Sequence, residues 1–378
     1  MKNVLILICA ILCVSAGWSQ KVTDTIRSQK LEEDRIIHIG LPASYQSNPQ
    51  KKYPLLILLD GDYLFDAFQG ALNYGNYWED IPEMITVGVA MEKTREEDCA
   101  SDSESGLPSG KGEKFFEFMG ELVAALEKQY RVAPFKIIAG HDVTAGFINY
   151  YLYKDAPLFN AYISMSPEFP VAMEEHLPQR LAALQQPAYY YMCTADGDVK
   201  KMQKLIKTVD ETVRKLPNPQ VLYRFDEFKG ASHYSLVLHA IPSALYHFFG
   251  AYQPISTNEF NEKIAVLPTG HVDYLMAKYT TIEKMLGTKL TIRINDFKAI
   301  EAAILKNKAY AELDKLSDLA RKNYPKSMLP DYHLGLMYEK QGDPKRAAKA
   351  YQSGFQKEEI GDLTKDFMLE KADAMKGM

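Results

Sequence analysis

The sequence predicts an α/β fold, a mostly parallel sheet with helices on both faces, followed by an all-α region of helical hairpins. Three observations carry this expectation. Apolar runs and amphipathic stretches alternate from Ile36 to about Gly250, the apolar runs are continuous, and the strand pattern stops after Pro254. Strand-helix alternation implies parallel neighbours joined by crossover helices. A continuous apolar run implies a strand buried on both faces. At 378 residues the chain also exceeds what one core usually supports, so two domains are expected.

The elements follow in order. Lys2 gives a positive start, Val4 to Val14 an apolar stretch, and Ser15 to Gln20 a small-residue exit, so residues 1–20 read as a secretory signal peptide. The apolar stretch is too short to span a bilayer. Cys9 and Cys13 follow Ile and Leu, not the small residue that lipoprotein processing needs. Export to the periplasm or beyond, without a transmembrane anchor, is expected. Strands are then predicted at Tyr53 to Leu59, Met84 to Ala90, Phe135 to Ala139, Ala161 to Met165, Ala188 to Cys193 and Gln220 to Phe225. Helices are predicted over Glu113 to Gln129 and Val199 to Lys215. Arg95 to Lys111, rich in Ser, Asp, Glu and Gly, reads as a long loop of the kind that often carries function.

After Pro254, Lys, Ala, Leu and Glu dominate. Phe297, Ile300, Ile304, Ala320 and Pro325 fit one tetratricopeptide-like hairpin, and Leu334, Gly335, Tyr338, Ala347 and Tyr351 fit a second. Their offset approaches the roughly 34-residue period of that repeat. The expected organisation is a first domain over 21–254, a helical linker over 255–290 and a tetratricopeptide-like domain over 291–378. Two hairpins are fewer than a free-standing array needs, so they are expected to pack on the first domain or to hold a protein partner.

Composition narrows the classes. A net charge of −5 argues against nucleic acid or an anionic membrane as partner. Only Cys99 and Cys193 remain beyond the leader, which excludes a disulfide framework, and two cysteines without a histidine cluster make no metal site. No cofactor is expected.

The stretch Lys136 to Phe147, KIIAGHDVTAGF, carries the chemistry. An apolar strand ends at Gly140 and small residues follow, as at the G-x-S-x-G nucleophile turn of α/β-hydrolases. Asp142 stands at the nucleophile position and Thr144 at the second glycine. In that fold the catalytic groups come in the order nucleophile, acid, histidine, each at the C-terminal end of a strand. Asp142, then Asp196 and Asp198 in TADGD, then His233 in KGASHYS satisfy both order and placement.

Residues from about Tyr53 to Gly250 resemble the esterase D family of secreted α/β-hydrolases, which includes enterochelin-type siderophore esterases. The matching pieces are YPLLILLDGDYLF, IPEMITVGV, the Arg95 and Asp98 pair with Ser109-Gly110, IAGHDVTAGF, LFNAYISMSPEF and EFKGASHYSLV. The resemblance implies hydrolysis of small-molecule carboxylic esters by a serine, histidine and acid triad, with an oxyanion hole of backbone N–H groups. Carried over, the histidine is His233 and the acid Asp196, with Asp198 as second choice. The oxyanion donors are Val143 and a residue near Gly61 or Asp62. The serine does not carry over.

The substitution has physical consequences. A serine triad works because histidine takes a proton from the attacking hydroxyl, and Asp142 has none. Its carboxylate also adds negative charge beside the oxyanion hole. Two unit charges about 4 Å apart at an effective dielectric near 20 repel by about 4 kcal/mol, on the order of a thousandfold in rate. Ordinary serine esterase activity is therefore expected to be weak or absent. Two readings stay open. Asp142 is a nucleophile toward alkyl electrophiles, as in dehalogenases and epoxide hydrolases of this fold. Otherwise the cleft binds a small ligand without turnover, with Asp142 pairing with His233 and raising its pKa; Thr144, crowding the turn, favours this second reading. His141 and the tyrosines Tyr150, Tyr151 and Tyr153 are expected to pack. Ser164, Ser166 and Ser232 are expected to cap turns, though each is a possible substitute hydroxyl. Asp60 and Asp62 are expected to form a turn and not a metal site.

Overall fold

The computed structural model describes residues 21–377; the signal-peptide reading of residues 1–20 lies outside them. The chain divides into two compact units. The first runs up to Tyr74 and resumes over Glu83–Ala244, and the second is Gly75–Pro82 with the chain from Leu245 onward.

The first unit is an eight-stranded sheet in the order β1-β2-β4-β3-β5-β6-β7-β8. Its strands are β1 Lys21–Arg27, β2 Asp34–Gly40, β3 Tyr53–Leu58, β4 Ile85–Val89, β5 Val132–His141, β6 Ala161–Met165, β7 Ala188–Gly197 and β8 Val221–Ser232. From β4 to β8 all neighbours are parallel, while β1 and β2 run antiparallel at one edge. Every residue of β3, β4 and β6 is buried, as continuous apolar runs require. The flanking helices are α1 Gly61–Tyr77, α2 Arg95–Asp98, α3 Lys111–Gln129, α4 Val143–Phe147, α5 Met173–Ala183, α6 Lys200–Val213 and α7 Leu236–Phe248.

Two differences from the sequence reading have clear causes. β1 and β2 escaped it because β1 is almost wholly exposed and β2 alternates inward and outward, so neither makes an apolar run. β7 and β8 run several residues further than their apolar cores, through the polar residues that reach the site. Within the expected Arg95 to Lys111 loop, the first four residues are the helix α2, and a bridge between Ser101 and Pro108 closes the remainder.

The second unit is helical: the short α8 Thr257–Glu259, then α9 His271–Leu286, α10 Ile294–Lys306, α11 Glu312–Asn323, α12 Leu329–Lys340, α13 Pro344–Phe355 and α14 Lys365–Lys376. Phe297, Ile300, Ile304 and Ala320 are buried in its core with Val272, Leu275 and Leu316. Gly335 is needed where α12 meets α13, since a Cβ there would lie 2.4 Å from the Tyr351 ring. Among the described residues no helix is long and apolar enough to cross a membrane.

Candidate active site

The parallel strands deliver the chemistry at their C-terminal ends. β3 is followed by α1 and β4 on one side, and its other neighbour is β5. The loops after β3 and β5 therefore diverge and leave a crevice, the usual ligand position in open parallel sheets. Asp60 ends one loop and Asp142 the other.

Asp142 has φ 63° and ψ −122° between β5 and α4. A non-glycine residue in this region is strained, and the strain aims its side chain outward from the sheet. Gly140 makes the turn possible, because a Cβ there would lie 2.7 Å from the backbone carbon of Thr144. Thr144 does not crowd the turn. Its buried hydroxyl accepts from His141 N–H at 3.0 Å and donates to Asp60 Oδ2 at 2.6 Å. A glycine there would leave both groups without that partner.

The carboxylate of Asp142 is held between Arg95 and His233. Arg95 Nη1 donates to its Oδ2 at 3.1 Å, and its Oδ1 lies 3.8 Å from His233 Nε2. Arg95 also grips Asp60 through Nε and Nη2, at 2.8 and 3.3 Å, and donates to the His141 carbonyl at 2.7 Å. Arg95, shared with Asp60, offsets part of the charge at position 142 and so part of the repulsion expected from an isolated carboxylate beside an oxyanion. What persists in full is the missing hydroxyl. Burial pushes the Asp60 carboxyl up from its usual range, with Arg95 and the Thr144 hydroxyl opposing that rise.

On its other edge, His233 Nδ1 lies 2.7 Å from Asp198 Oδ1. Asp198, not the first-choice Asp196, is the acid that meets the histidine. Asp196 sits at the irregular, exposed end of β7, where its carboxylate accepts from the Gly230 N–H at 2.9 Å. Burial alone would raise Asp198. Hydrogen bonds from His233, Ser166, Thr194 and the Val199 N–H outweigh burial and hold it well below the usual carboxylate range. The Asp198 hydrogen bond raises His233 above 6.5 against the opposing effect of burial, and the Asp142 carboxylate adds to the rise.

None of the three serines replaces the missing nucleophile. Ser166 Oγ meets the Nδ1 edge of His233 at 3.2 Å while donating to Asp198, so it cannot pass a proton to Nε2. Ser164 donates to the Ala145 carbonyl, and Ser232 bonds Ser235 in a turn. His141 is buried and packs against His233 with the rings tilted by 38° and 4.6 Å apart, centroid to centroid, and its Nε2 lies 3.0 Å from the His233 carbonyl oxygen. Burial, with the neighbouring His233, pushes its pKa down to about 4, so the ring is neutral and positions His233. Tyr63, half exposed, places its hydroxyl 3.0 Å from His141 Nδ1 and 3.1 Å from Asp60 Oδ2.

The expected oxyanion donors lie at the starts of α1 and α4. Gly61, Asp62 and Val143 carry first-turn N–H groups that helix geometry leaves without an intrahelical acceptor. Gly61 is required by contact with β4, where a Cβ would lie 2.5 Å from the Gly88 backbone carbon. Asp62 turns its carboxylate to the N–H groups of Met91 and Glu92. Asp60 and Asp62 are thereby bound to different partners. Tyr150 and Tyr151 are packed in the core.

Arg95 is the site residue that sequence spacing did not assign. Its pairing with Asp98 drew attention, but Asp98 turns away to the buried Arg35 on β2 and to Thr94. That arrangement anchors α2 and leaves Arg95 facing the crevice. Nothing in the chain order points from Arg95 to a residue 47 positions on.

The model of the putative esterase family matches residues 28–190. No curated protein matches the chain. An uncharacterised protein from Capnocytophaga ochracea is 31% identical, with a TM-score of 0.85 over 95% of this chain and 100% of its own. An IroE-like serine hydrolase from Shewanella oneidensis is 18% identical with a TM-score of 0.62, over 80% of this chain and 99% of its own. The BES protein from Bacillus cereus is 21% identical with a TM-score of 0.53, over 60% and 94%. These last two establish likeness of fold. With its crevice at the strand ends, its elbow at Asp142 and this family match, the chain belongs to the putative esterase family, an α/β-hydrolase fold followed by a helical region.

Proposed function

We propose that this is an exported esterase-family protein in which serine-type ester hydrolysis is weak or absent, the inherited crevice serving to bind a small ligand. The observation that carries the reading is the carboxylate of Asp142 at the elbow, bonded to Arg95 and 3.8 Å from His233 Nε2. His233 has an acid partner on Nδ1, while on its Nε2 side stands the Asp142 carboxylate and, among the described residues, no hydroxyl from which to draw a proton. Catalytic assignments follow from this: Asp142 occupies the nucleophile position, His233 and Asp198 form the base pair, and the Val143, Gly61 and Asp62 amides line the oxyanion position. The C-terminal helices, read as tetratricopeptide-like hairpins, are proposed to hold a protein partner.

The experiment is p-nitrophenyl ester hydrolysis by the purified protein beside Asp142→Ser. The natural protein should be near background, and Asp142→Ser should raise turnover by about a hundredfold or more, because base and oxyanion donors are already in place. Strong turnover by the natural protein, abolished by His233→Ala, would overturn the reading.

An aspartyl nucleophile acting on alkyl electrophiles is the second reading. The Oδ1 of Asp142 favours it, being free of Arg95 and on the His233 side. The Arg95 bond to Oδ2 weighs against it by drawing charge from the carboxylate. A single turnover on an epoxide in heavy-oxygen water would leave label in the Asp142 side chain under this reading, and none otherwise.

A further inference from the structure

The sheet ends on one side at β8, whose outer edge has no strand partner among the described residues. An edge strand presents alternate N–H and C=O groups to any strand that fits, and natural edges are normally blunted by charge, brevity or a bulge. β8 is neither short nor interrupted over its first part: Val221 to Phe228 pairs with β7 in unbroken register. Gly230, with φ 75°, lies beyond that regular part. Leu222 stands 40% exposed on it.

We propose that β8 is a self-complementary edge through which two copies of this chain pair antiparallel, centred on Phe225. In that register the central side chains meet partners that suit them, while Val221 meets Lys229 at the margin. Phe225 faces Phe225 of the other copy, Leu222 faces Phe228, and Arg224 faces Asp226 in both directions. Opposite residues on one face are the pairs that stabilise an antiparallel ladder. The charges on this edge therefore do not blunt it against its own copy. Arg224 and Asp226 already pair along the strand, with Nε 3.0 Å from Oδ2, and a second copy turns that pair into a four-charge network. A groove that includes Val213, Leu216, Val221, Tyr223 and Phe225 runs beside the strand, and Arg214 in it is already paired with Asp210 at 2.8 Å.

The opposite edge supplies the contrast. β1 paired on itself about its middle residue would set Asp24 against Asp24 and Lys21 against Arg27, like charge on like. Self-pairing is thus specified at one edge and opposed at the other. The inference is independent of the chemistry at Asp142.

Sedimentation velocity of the full chain over a concentration series should give a species of twice the chain mass. Leu222→Glu, at an exposed position that does not disturb the core, should raise the dissociation midpoint about tenfold or more while leaving the circular dichroism spectrum unchanged. Register is read by cysteine cross-linking, with the unmodified chain as control. Phe225→Cys should oxidise to a covalent dimer, because facing Cα atoms in an antiparallel pair are about 4.5–5.5 Å apart. Leu222→Cys alone should not, whereas Leu222→Cys combined with Phe228→Cys should. A monomer at every concentration overturns the proposal, and so does a dimer that ignores Leu222→Glu or fails to cross-link through Phe225→Cys.

Discussion

Asp142 owes its place to Arg95 and His233, and each neighbour predicts something different. His233 is raised above 6.5 by its Asp198 hydrogen bond and, further, by the Asp142 carboxylate. A raised histidine stabilises the fold fully below its unfolded value near 6.5, and that contribution is lost as pH climbs through the folded value. Asp142→Asn removes one of the charges responsible and leaves Arg95 nearby, so the His233 midpoint followed by NMR should fall. The loss of stability with rising pH should still begin near 6.5 but end at lower pH and be smaller. A midpoint that stays put would mean that Asp142 does not face the imidazole in solution. Arg95 differs from His233 in being bound mainly by Asp60, a nearly buried carboxylate. Its role at the elbow is therefore to join the two loops of the crevice, and its bond to Asp142 is an addition to that role.

The strand, turn and helix of the elbow depend on glycine at Gly140 and Gly146, where an added Cβ would lie 2.7 Å from Thr144 backbone and 1.8 Å from the Glu168 carbonyl oxygen. Neither obstacle is a flexible side-chain end. Gly140→Ala should therefore cost on the order of 3 kcal/mol in denaturant unfolding. Gly120, inside α3 with nothing within 4 Å, is the control. Gly120→Ala should stabilise by about 0.5–1 kcal/mol through helix propensity. Equal effects at the two positions would refute the packing argument. The same elements mark what the sequence could disclose. Central strands such as β3 and β6 were legible because burial on both faces leaves an unbroken apolar run. The elbow was legible because small residues must follow a strand there. β1 was not, since its residues face solvent. The choice between Asp196 and Asp198 was not legible either, because it turns on an irregularity in the β7–β8 register between Ala195 and Gly197. Thr144 is hard to read for a related reason: its bulk is visible in sequence, but its hydrogen bond to Asp60 joins residues 84 positions apart.

At the scale of the molecule, the boundary between the compact units does not follow chain order. Gly75–Pro82, the end of α1 and the turn after it, belongs with the helical unit. Within that unit Arg293 donates to the Glu79 carbonyl at 3.0 Å, pairs with its carboxylate at 3.2 Å and lies over the Tyr252 ring. Asp80 accepts from Tyr246 at 3.0 Å. A chain ending at Pro254 retains the sheet, its core and the Tyr246 bond, but loses Arg293. We expect it to be soluble and folded, because an extensive buried cluster is made by the sheet and its own helices. Hydrogen exchange should then separate two regions. Amides of β3, β5 and β6 should keep their protection, whereas those around residues 75–82 should exchange at least about tenfold faster, because local openings report local contacts. Arg293→Ala in the full chain should reproduce the second effect alone. An insoluble truncation, or protection lost throughout the sheet, would show that the first unit does not fold without the helices that follow it.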